Sequence, residues 1–150
     1  MEANRHARER LSHMLEAMRE RGLRLTPQRL AILKILAESE NHPSVEAVHQ
    51  LILRDFPTTS LATVYKTVSL LKQMGQVLEL AFADAGSRYD GAKPFPHPHV
   101  ICTKCGAIAD PEFSSMAEMA KEMADKSGYR ITTHRLDFFG LCPNCRWQWS

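Results

Sequence analysis

The 150-residue sequence predicts an α+β protein in two parts, a helical first half closed by a β-hairpin and a small α/β unit carrying four cysteines. Three observations lead there. Apolar residues recur at helical spacing in four successive segments up to Gly75, and two strand-like segments flank Asp84-Ala85-Gly86. A proline-rich stretch then separates these from Cys102-x2-Cys105 and Cys142-x2-Cys145.

From about Ala3 to Arg21, Leu11, Met14, Leu15 and Met18 form an apolar stripe among charged residues, and Gly22 ends the helix. Thr26-Pro27 caps and opens a second helix, with Leu30, Ile32, Leu33 and Leu36 on its apolar face and its end near Glu40. A third starts at Pro43-Ser44, buries Val45, Val48, Leu51 and Ile52, and closes at Phe56-Pro57. Thr58-Thr59-Ser60 caps a fourth, with Leu61, Val64, Val68 and Leu71 in one stripe and Thr63, Lys66, Thr67 and Ser69 on the opposite, hydrogen-bonding face. Gly75 ends it, and Val77 to Phe82 with Ser87 to Asp90 make the hairpin. Such a series over residues 1–90 is a winged helix-turn-helix, which lays its fourth helix in the DNA major groove.

Gly91 to Pro96, with a glycine and two prolines, is a hinge. In residues 97–150, Val100 to Cys102 and Ala107 to Ala109 read as short strands. Phe113 to Lys126 reads as a helix with Met116, Met119, Ala120 and Met123 on one face, and Tyr129 to Leu141 as a longer strand interrupted near Arg135. A unit this small is marginal for a core of its own and is expected to need zinc, a second subunit or both.

Bulk charge does not select a partner. The net charge is +2, and Lys+Arg against Asp+Glu stands at 12 and 11 in residues 1–90 and at 7 and 6 in residues 91–150. Met1 to Lys34, with eight basic and four acidic residues, is a local basic edge suited to phosphate. Met1 to Arg10 is polar and arginine-rich with no apolar run behind it, and no span approaches the roughly 18 apolar residues of a membrane helix. Neither a secretory leader nor a membrane partner is expected, and the expected location is cytoplasmic. A reducing compartment shifts paired cysteines from disulfides towards metal.

The two cysteine pairs are separated by 36 residues, and each sits where a strand turns back, near Gly106 and Gly140. Four thiolates can converge on one tetrahedral zinc ion and so pin the end of the chain to its first strand. Two disulfides or a thiol redox switch are the alternatives, but a spacer of two fits thiolate coordination better than a packed disulfide. A second donor set is more dispersed: His42 before the third helix, Asp90 at the end of the hairpin, His97 and His99 after the hinge, and Asp110. Imidazoles with carboxylates suit zinc, iron, nickel or manganese. Taken singly, His42 reads as a solvated loop histidine and Asp90 as a turn residue. His97 and His99 alternate, so they point to opposite faces unless the prolines bend the backbone. Spacing alone leaves a second metal site and these blander readings both open. His6, His13 and His49 read as surface residues on helices, and the Met face as core or subunit contact rather than a copper site. Trp147 and Trp149 have no assignable role.

In chain order, Arg24-x-Thr26-Pro27-Gln28-Arg29, His42-Pro43-Ser44, Ala62-Thr63-Val64-Tyr65-Lys66 and Ser87-Arg88-Tyr89-Asp90 precede the hinge. His97-x-His99-x2-Cys102-x2-Cys105-Gly106 and His134-Arg135-Leu136 before Cys142 follow it. Together these motifs, over nearly all of Gly22 to Cys145, resemble the ferric-uptake-regulator (Fur) family of metal-dependent repressors. The resemblance implies a homodimer joined through residues 97–150, palindromic operator DNA as partner, a transcriptional repressor rather than an enzyme, and structural Zn2+ on Cys102, Cys105, Cys142 and Cys145. Within the family the chain is most similar to the peroxide-sensing branch, which implies regulatory Fe2+ or Mn2+ on His42, Asp90, His97, His99 and Asp110. The iron-uptake branch usually has glutamate where Asp110 stands. By the same resemblance Arg24 reaches the minor groove, while Tyr65 and Lys66 meet base edges beside Thr63; a core-edge aromatic is the other reading of Tyr65.

Ligands from both sides of the hinge imply that one ion locks the two halves into the form that fits two operator half-sites. With Fe2+, hydrogen peroxide, the one small molecule expected as a substrate, oxidises a ligand, His42 or His97, and repression ends; Mn2+ supports repression and resists peroxide. The alternative is an iron- or zinc-responsive uptake repressor without peroxide chemistry. A zinc enzyme or thiol oxidoreductase would need a base and nucleophile pair that the sequence does not offer. Pro96 and Pro98 occupy positions where some members carry ligands of a further metal site, leaving His134 and Glu118 without company.

Overall fold

The computed structural model describes residues 1–82 and 86–148, so most of the Asp84-Ala85-Gly86 turn and Trp149 lie outside the described residues. The chain divides into two compact units, Met1–Phe95 and Pro96–Ser150. No helix of the described residues is long and apolar enough to cross a membrane.

The first unit runs α1 (Glu2–Glu20), α2 (Pro27–Glu38), α3 (Val45–Ile52), α4 (Leu61–Gln73), β1 (Leu78–Phe82) and β2 (Gly86–Asp90). Side-chain oxygens start three of the helices where expected: Thr26 accepts from the N–H of Arg29, Ser44 from Ala47 and Ser60 from Thr63. Met14 and Met18 of α1, Ile32, Leu33 and Leu36 of α2, Val48 and Ile52 of α3, and Val64, Val68 and Leu71 of α4 form one core, which Val77 and Tyr89 join from the hairpin. The strands pair antiparallel, Leu78 opposite Asp90 and Phe82 opposite Gly86.

Three side chains depart from the expected pattern. Leu51 and Leu61 are 42% and 43% exposed, whereas Thr67, assigned to the outer polar face, is buried. The stripe that α4 buries is Val64, Thr67, Val68 and Leu71, the i, i+3, i+4, i+7 pattern of one helix face. Thr67 enters it because its hydroxyl donates to Thr63 O at 3.0 Å, which removes the cost of burying it.

The chain leaves β2 through a tight approach. A Cβ on Gly91 would lie 2.6 Å from Leu36 O and 3.0 Å from Met14 Cε. Gly91→Ala is therefore expected to destabilise the first unit by about 1–3 kcal/mol, read as a lower urea midpoint at unchanged m-value.

The second unit contains β3 (His99–Cys102), β4 (Ile108–Ala109), α5 (Met116–Ser127), β5 (Asp137–Gly140) and a 3-10 turn at Arg146–Gln148. Its sheet has the order β4-β3-β5, with β4 antiparallel and β5 parallel to β3. The long strand expected from Tyr129 to Leu141 is present only over its last part. β3 offers four residues as an edge, and Asp137 to Gly140 use all of them in register with His99 to Cys102. α5 begins three residues later than the apolar spacing indicates, ends at Gly128 in the left-handed region (φ 74), and buries none of its residues. Met119 and Met123 are 42% and 52% exposed.

Candidate functional site

Register places the cysteines. Parallel pairing sets Cys102 beside Gly140, and Thr103 N–H donates to Gly140 O at 2.8 Å, so both cysteine pairs lie at the same end of the sheet. Each pair then folds back on a short hydrogen bond, Gly106 N–H to Cys102 O and Cys145 N–H to Cys142 O, both 3.0 Å. Gly106 takes φ 76, a conformation that suits glycine. The four sulfurs lie within 4.8 Å of one another, and all four cysteines are free thiols.

Cys105 Sγ and Cys142 Sγ are 3.7 Å apart. That is far beyond a disulfide bond and close to the edge of about 3.8 Å of a tetrahedron with Zn–S of about 2.3 Å. Backbone N–H groups, Cys105 first, bring the Cys102 thiol down to about 6, and the N–H of Cys145 lowers Cys142. The neighbouring sulfur of Cys142 and burial push Cys145 up to about 12. Four crowded thiols cannot all ionise by themselves, and a divalent cation is what would let them.

In the first unit His42 and Asp90 face each other with Nε2 to Oδ2 at 3.0 Å, each 3% exposed. Asp90 is a turn residue, as its place at the end of the hairpin suggested, and it also faces an imidazole. Its Oδ1 accepts from the N–H groups of Ala92 and Lys93 at 3.0 and 2.8 Å, closing a turn, while Oδ2 is turned to the imidazole. His42 is not the solvated histidine that its loop position suggested. It holds φ 49, a left-handed conformation for a residue with a side chain. β2 grips the loop from one side: Arg88 donates from Nε to His42 O and from Nη2 to Asn41 O at 2.6 Å, and Tyr89 N–H donates to Pro43 O at 2.9 Å.

Arg10 holds the residue that follows Asp90. It is buried on α1, and its guanidinium donates to Gly91 O at 2.8 Å and to the backbone and side-chain oxygens of Gln76, both at 2.9 Å. Burial draws its pKa down and the charge of Asp90 opposes that. Neither Arg10 nor Arg88 was singled out for a role from sequence, because their partners lie 81 and 46 residues away. Arg10→Met is expected to cost about 2–3 kcal/mol, since it strands buried carbonyls that accepted from a charged donor; the measurement is the urea unfolding of the first unit.

In the second unit the rings of His97 and His99 approach to 4.3 Å between centroids at 49°. They do not point to opposite faces, because β3 begins only at His99 and strand alternation does not reach His97. His97 Nε2 lies 3.4 Å from Asp110 Oδ2. His99 Nδ1 lies 3.8 Å from Asp137 Oδ1, a carboxylate the sequence reading did not single out, whose other oxygen accepts from Arg135 Nε at 2.6 Å. The register of β3 with β5 creates that neighbour.

His134 has a buried Nε2 and lines a cavity of about 210 Å³ with Met116, Met119 and Met123; Glu118 does not line it. Among the described residues no metal-capable cluster includes either His134 or Glu118. Of the remaining histidines, His6 and His13 are exposed. His49 is half-buried instead, its Nε2 donating to Thr59 O at 2.8 Å.

Of the residues expected to meet nucleic acid, Arg24 and Lys66 are exposed, Thr63 is half-buried with its Oγ1 3.0 Å from Ser60 Oγ, and Tyr65 is 59% exposed. A tyrosine ring standing that far into solvent is not a core-edge aromatic.

A profile of the ferric uptake regulator family matches residues 20–139. The chain is 38% identical over 145 residues to the peroxide-responsive repressor PerR of Staphylococcus saprophyticus, covering 92% of this chain and 95% of that protein. Among solved structures it is similar to the Helicobacter pylori ferric uptake regulator Fur, with TM-score 0.78, 25% identity and 93% of each chain covered. It is also similar to the Campylobacter jejuni peroxide stress regulator, with TM-score 0.68, 32% identity, and 89% of this chain and 94% of that one covered.

Proposed function

The chain belongs to the ferric uptake regulator family, and from that premise we propose that it is a peroxide-sensing, metal-dependent transcriptional repressor. Members of the family are metal-responsive regulators that bind DNA as dimers and are not enzymes. What is proposed for this chain is the division of labour among its residues and the signal it reads. Cys102, Cys105, Cys142 and Cys145 hold structural zinc. His42 and Asp90 from the first unit, with His97, His99 and Asp110 from the second, hold one regulatory Fe2+ or Mn2+.

The observation that carries the reading is the buried His42–Asp90 pair at 3.0 Å. A soluble fold gains little from withdrawing such a pair from water, and two donors alone do not fill the coordination of a divalent transition metal. His97, His99 and Asp110 supply a complementary set. An ion that takes ligands from both units favours the one arrangement in which α4 of each subunit meets its half of a palindromic operator. Arg24, Thr63, Tyr65 and Lys66 are the contacts proposed there, and the cytoplasm is the proposed location.

His42, Asp90, His97, His99 and Asp110 would hold the ion, and Fe2+ there would lend an electron to hydrogen peroxide and recover it from the ring under attack. Overall one ring C–H of His42 or His97 would become C–OH, with the second peroxide oxygen leaving as water. Oxidised imidazole is a poorer donor, so the ion is lost and the operator released. The peroxide-responsive relatives and aspartate rather than glutamate at position 110 support this branch over an iron- or zinc-responsive uptake repressor.

The test is mass spectrometry of Fe-loaded protein after peroxide. One added oxygen on the peptides holding His42 or His97 is expected, accompanied by at least tenfold loss of operator affinity and absent from Mn-loaded protein. Oxidation confined to the cysteines contradicts the reading, and intact histidines with unchanged DNA binding favour the uptake repressor.

A further inference from the structure

Two side chains of α1 hold the chain where it leaves β2. Arg10 Nε donates to Gly91 O and His6 Nε2 donates to Ala92 O, both at 2.8 Å. A carbonyl only accepts, so the His6 nitrogen at this contact carries the proton. The two residues stand four apart, on one face of the helix. Gly91 O shares a planar peptide unit with Ala92 N–H, and Ala92 O shares the next unit with Lys93 N–H. Both N–H groups donate to Asp90 Oδ1, at 3.0 and 2.8 Å. The peptides are trans, so C=O and N–H point in opposite directions. Each unit is thus held at its oxygen by α1 and turned through its nitrogen to the same carboxylate.

The grip is firm at both ends. Arg10 is buried and its other nitrogens are engaged, Nη2 with both oxygens of Gln76 at 2.9 Å and Nη1 with His13 Nδ1 at 3.3 Å. α1 itself is fixed by Met14 and Met18 in the core, and Gly91 lies against Leu36 O too closely to admit a Cβ. A carbonyl that accepts from a charged donor also polarises its own peptide and strengthens the N–H at the far end. These contacts converge on one side chain, and its second oxygen, Oδ2, faces His42 Nε2 at 3.0 Å.

We propose that His6 and Arg10 are positioning residues of the regulatory metal site: by holding two successive peptides they fix Asp90 with Oδ1 in the turn and Oδ2 towards His42. The inference rests on the reading of His42 and Asp90 as ligands; neither α1 residue is one. A ligand already oriented has less side-chain freedom to lose when the ion binds. Partners that orient ligands in this way contribute to metal affinity without touching the metal. Spacing could not point to either contact, because the partners lie 86 and 81 residues away.

The experiment uses the full chain loaded with zinc at its cysteines, and the probe is Mn2+. The variants are His6→Leu, His6→Gln and Arg10→Lys, with Ile52→Val as a control that thins the core of the same unit elsewhere. By isothermal titration His6→Leu and Arg10→Lys are expected to bind Mn2+ roughly tenfold more weakly, and Ile52→Val as wild type does. His6→Gln keeps an N–H donor near the place of Nε2 and should recover most of the loss. Arg10→Lys keeps the charge and loses the planar fork, so its effect is not that of removing a cation. In metal-free protein, amide exchange followed by NMR should quicken roughly tenfold at Lys93 in His6→Leu and at Ala92 in Arg10→Lys, with Leu33 and Leu36 unchanged. If Arg10→Lys fails to fold, judged by its melting curve, the two His6 variants decide. Wild-type Mn2+ affinity in His6→Leu and Arg10→Lys overturns the proposal and leaves the ligand assignment standing. A loss shared by Ile52→Val, or equal in His6→Leu and His6→Gln, reduces the effect to general stability and also overturns it. Wild-type protein that binds no Mn2+ beyond what Asp90→Asn binds overturns the regulatory-site reading and this inference together.

Discussion

Cys142→Ser is expected to unfold residues 96–150 while the first unit stays folded. Among the described residues of the second unit, the buried ones are Pro98, His99, Ile101, Cys102 and Cys145, and α5 contributes none. So small a core does not offset the entropy of ordering more than fifty residues. Structural zinc in small domains supplies an apparent 10–16 kcal/mol or thereabouts, and losing one of four thiolates forfeits a large part of it. Urea unfolding followed by circular dichroism should change from a zinc-dependent profile to one in which the helical first unit melts alone. Zinc content should fall in parallel. An unaltered melt in protein shown to contain no zinc would mean that the sheet and helix hold themselves together.

Asp90→Asn is expected to abolish the metal response while keeping the fold. The amide oxygen can still accept from the N–H groups of Ala92 and Lys93, so the turn after β2 survives. What disappears is the negative charge facing His42 and felt by Arg10. Loss of this proposed ligand should weaken regulatory metal binding by more than about 100-fold, above what removal of an outer-shell partner costs. Asp90→Ala should do the same and in addition destabilise the unit by about 1–3 kcal/mol, because the turn donors lose their acceptor. Isothermal titration with Mn2+ and urea unfolding separate the two effects. Equal stability of the two variants would deny Asp90 its turn role.

Most of the architecture could be read from residue order. Caps at Thr26, Ser44 and Ser60, the apolar stripes between them and the paired cysteines are local signals, and local signals survive in a linear string. What escaped depends on contacts far apart in sequence. Thr67 is buried because Thr63 O takes its hydroxyl, and composition alone classed it as polar. The segment from Tyr129 had strand-like alternation, yet a strand needs an edge, and only Asp137 to Gly140 find one. The closeness of His97 to His99 turns on where β3 begins. Arg10, Arg88 and Asp137 are long-range partners of the candidate ligands or their loops, and no spacing rule points to them.

The proposed regulatory ion takes ligands from both units, the first of which is proposed to read DNA. The direct measurement is Mn2+-dependent operator affinity for wild type, Asp90→Asn, His97→Ala and the double variant. A shared ion predicts that each single change removes nearly all of the response and that the double change removes no more. Penalties that add, or a response in the double variant equal to that of wild type, would contradict it.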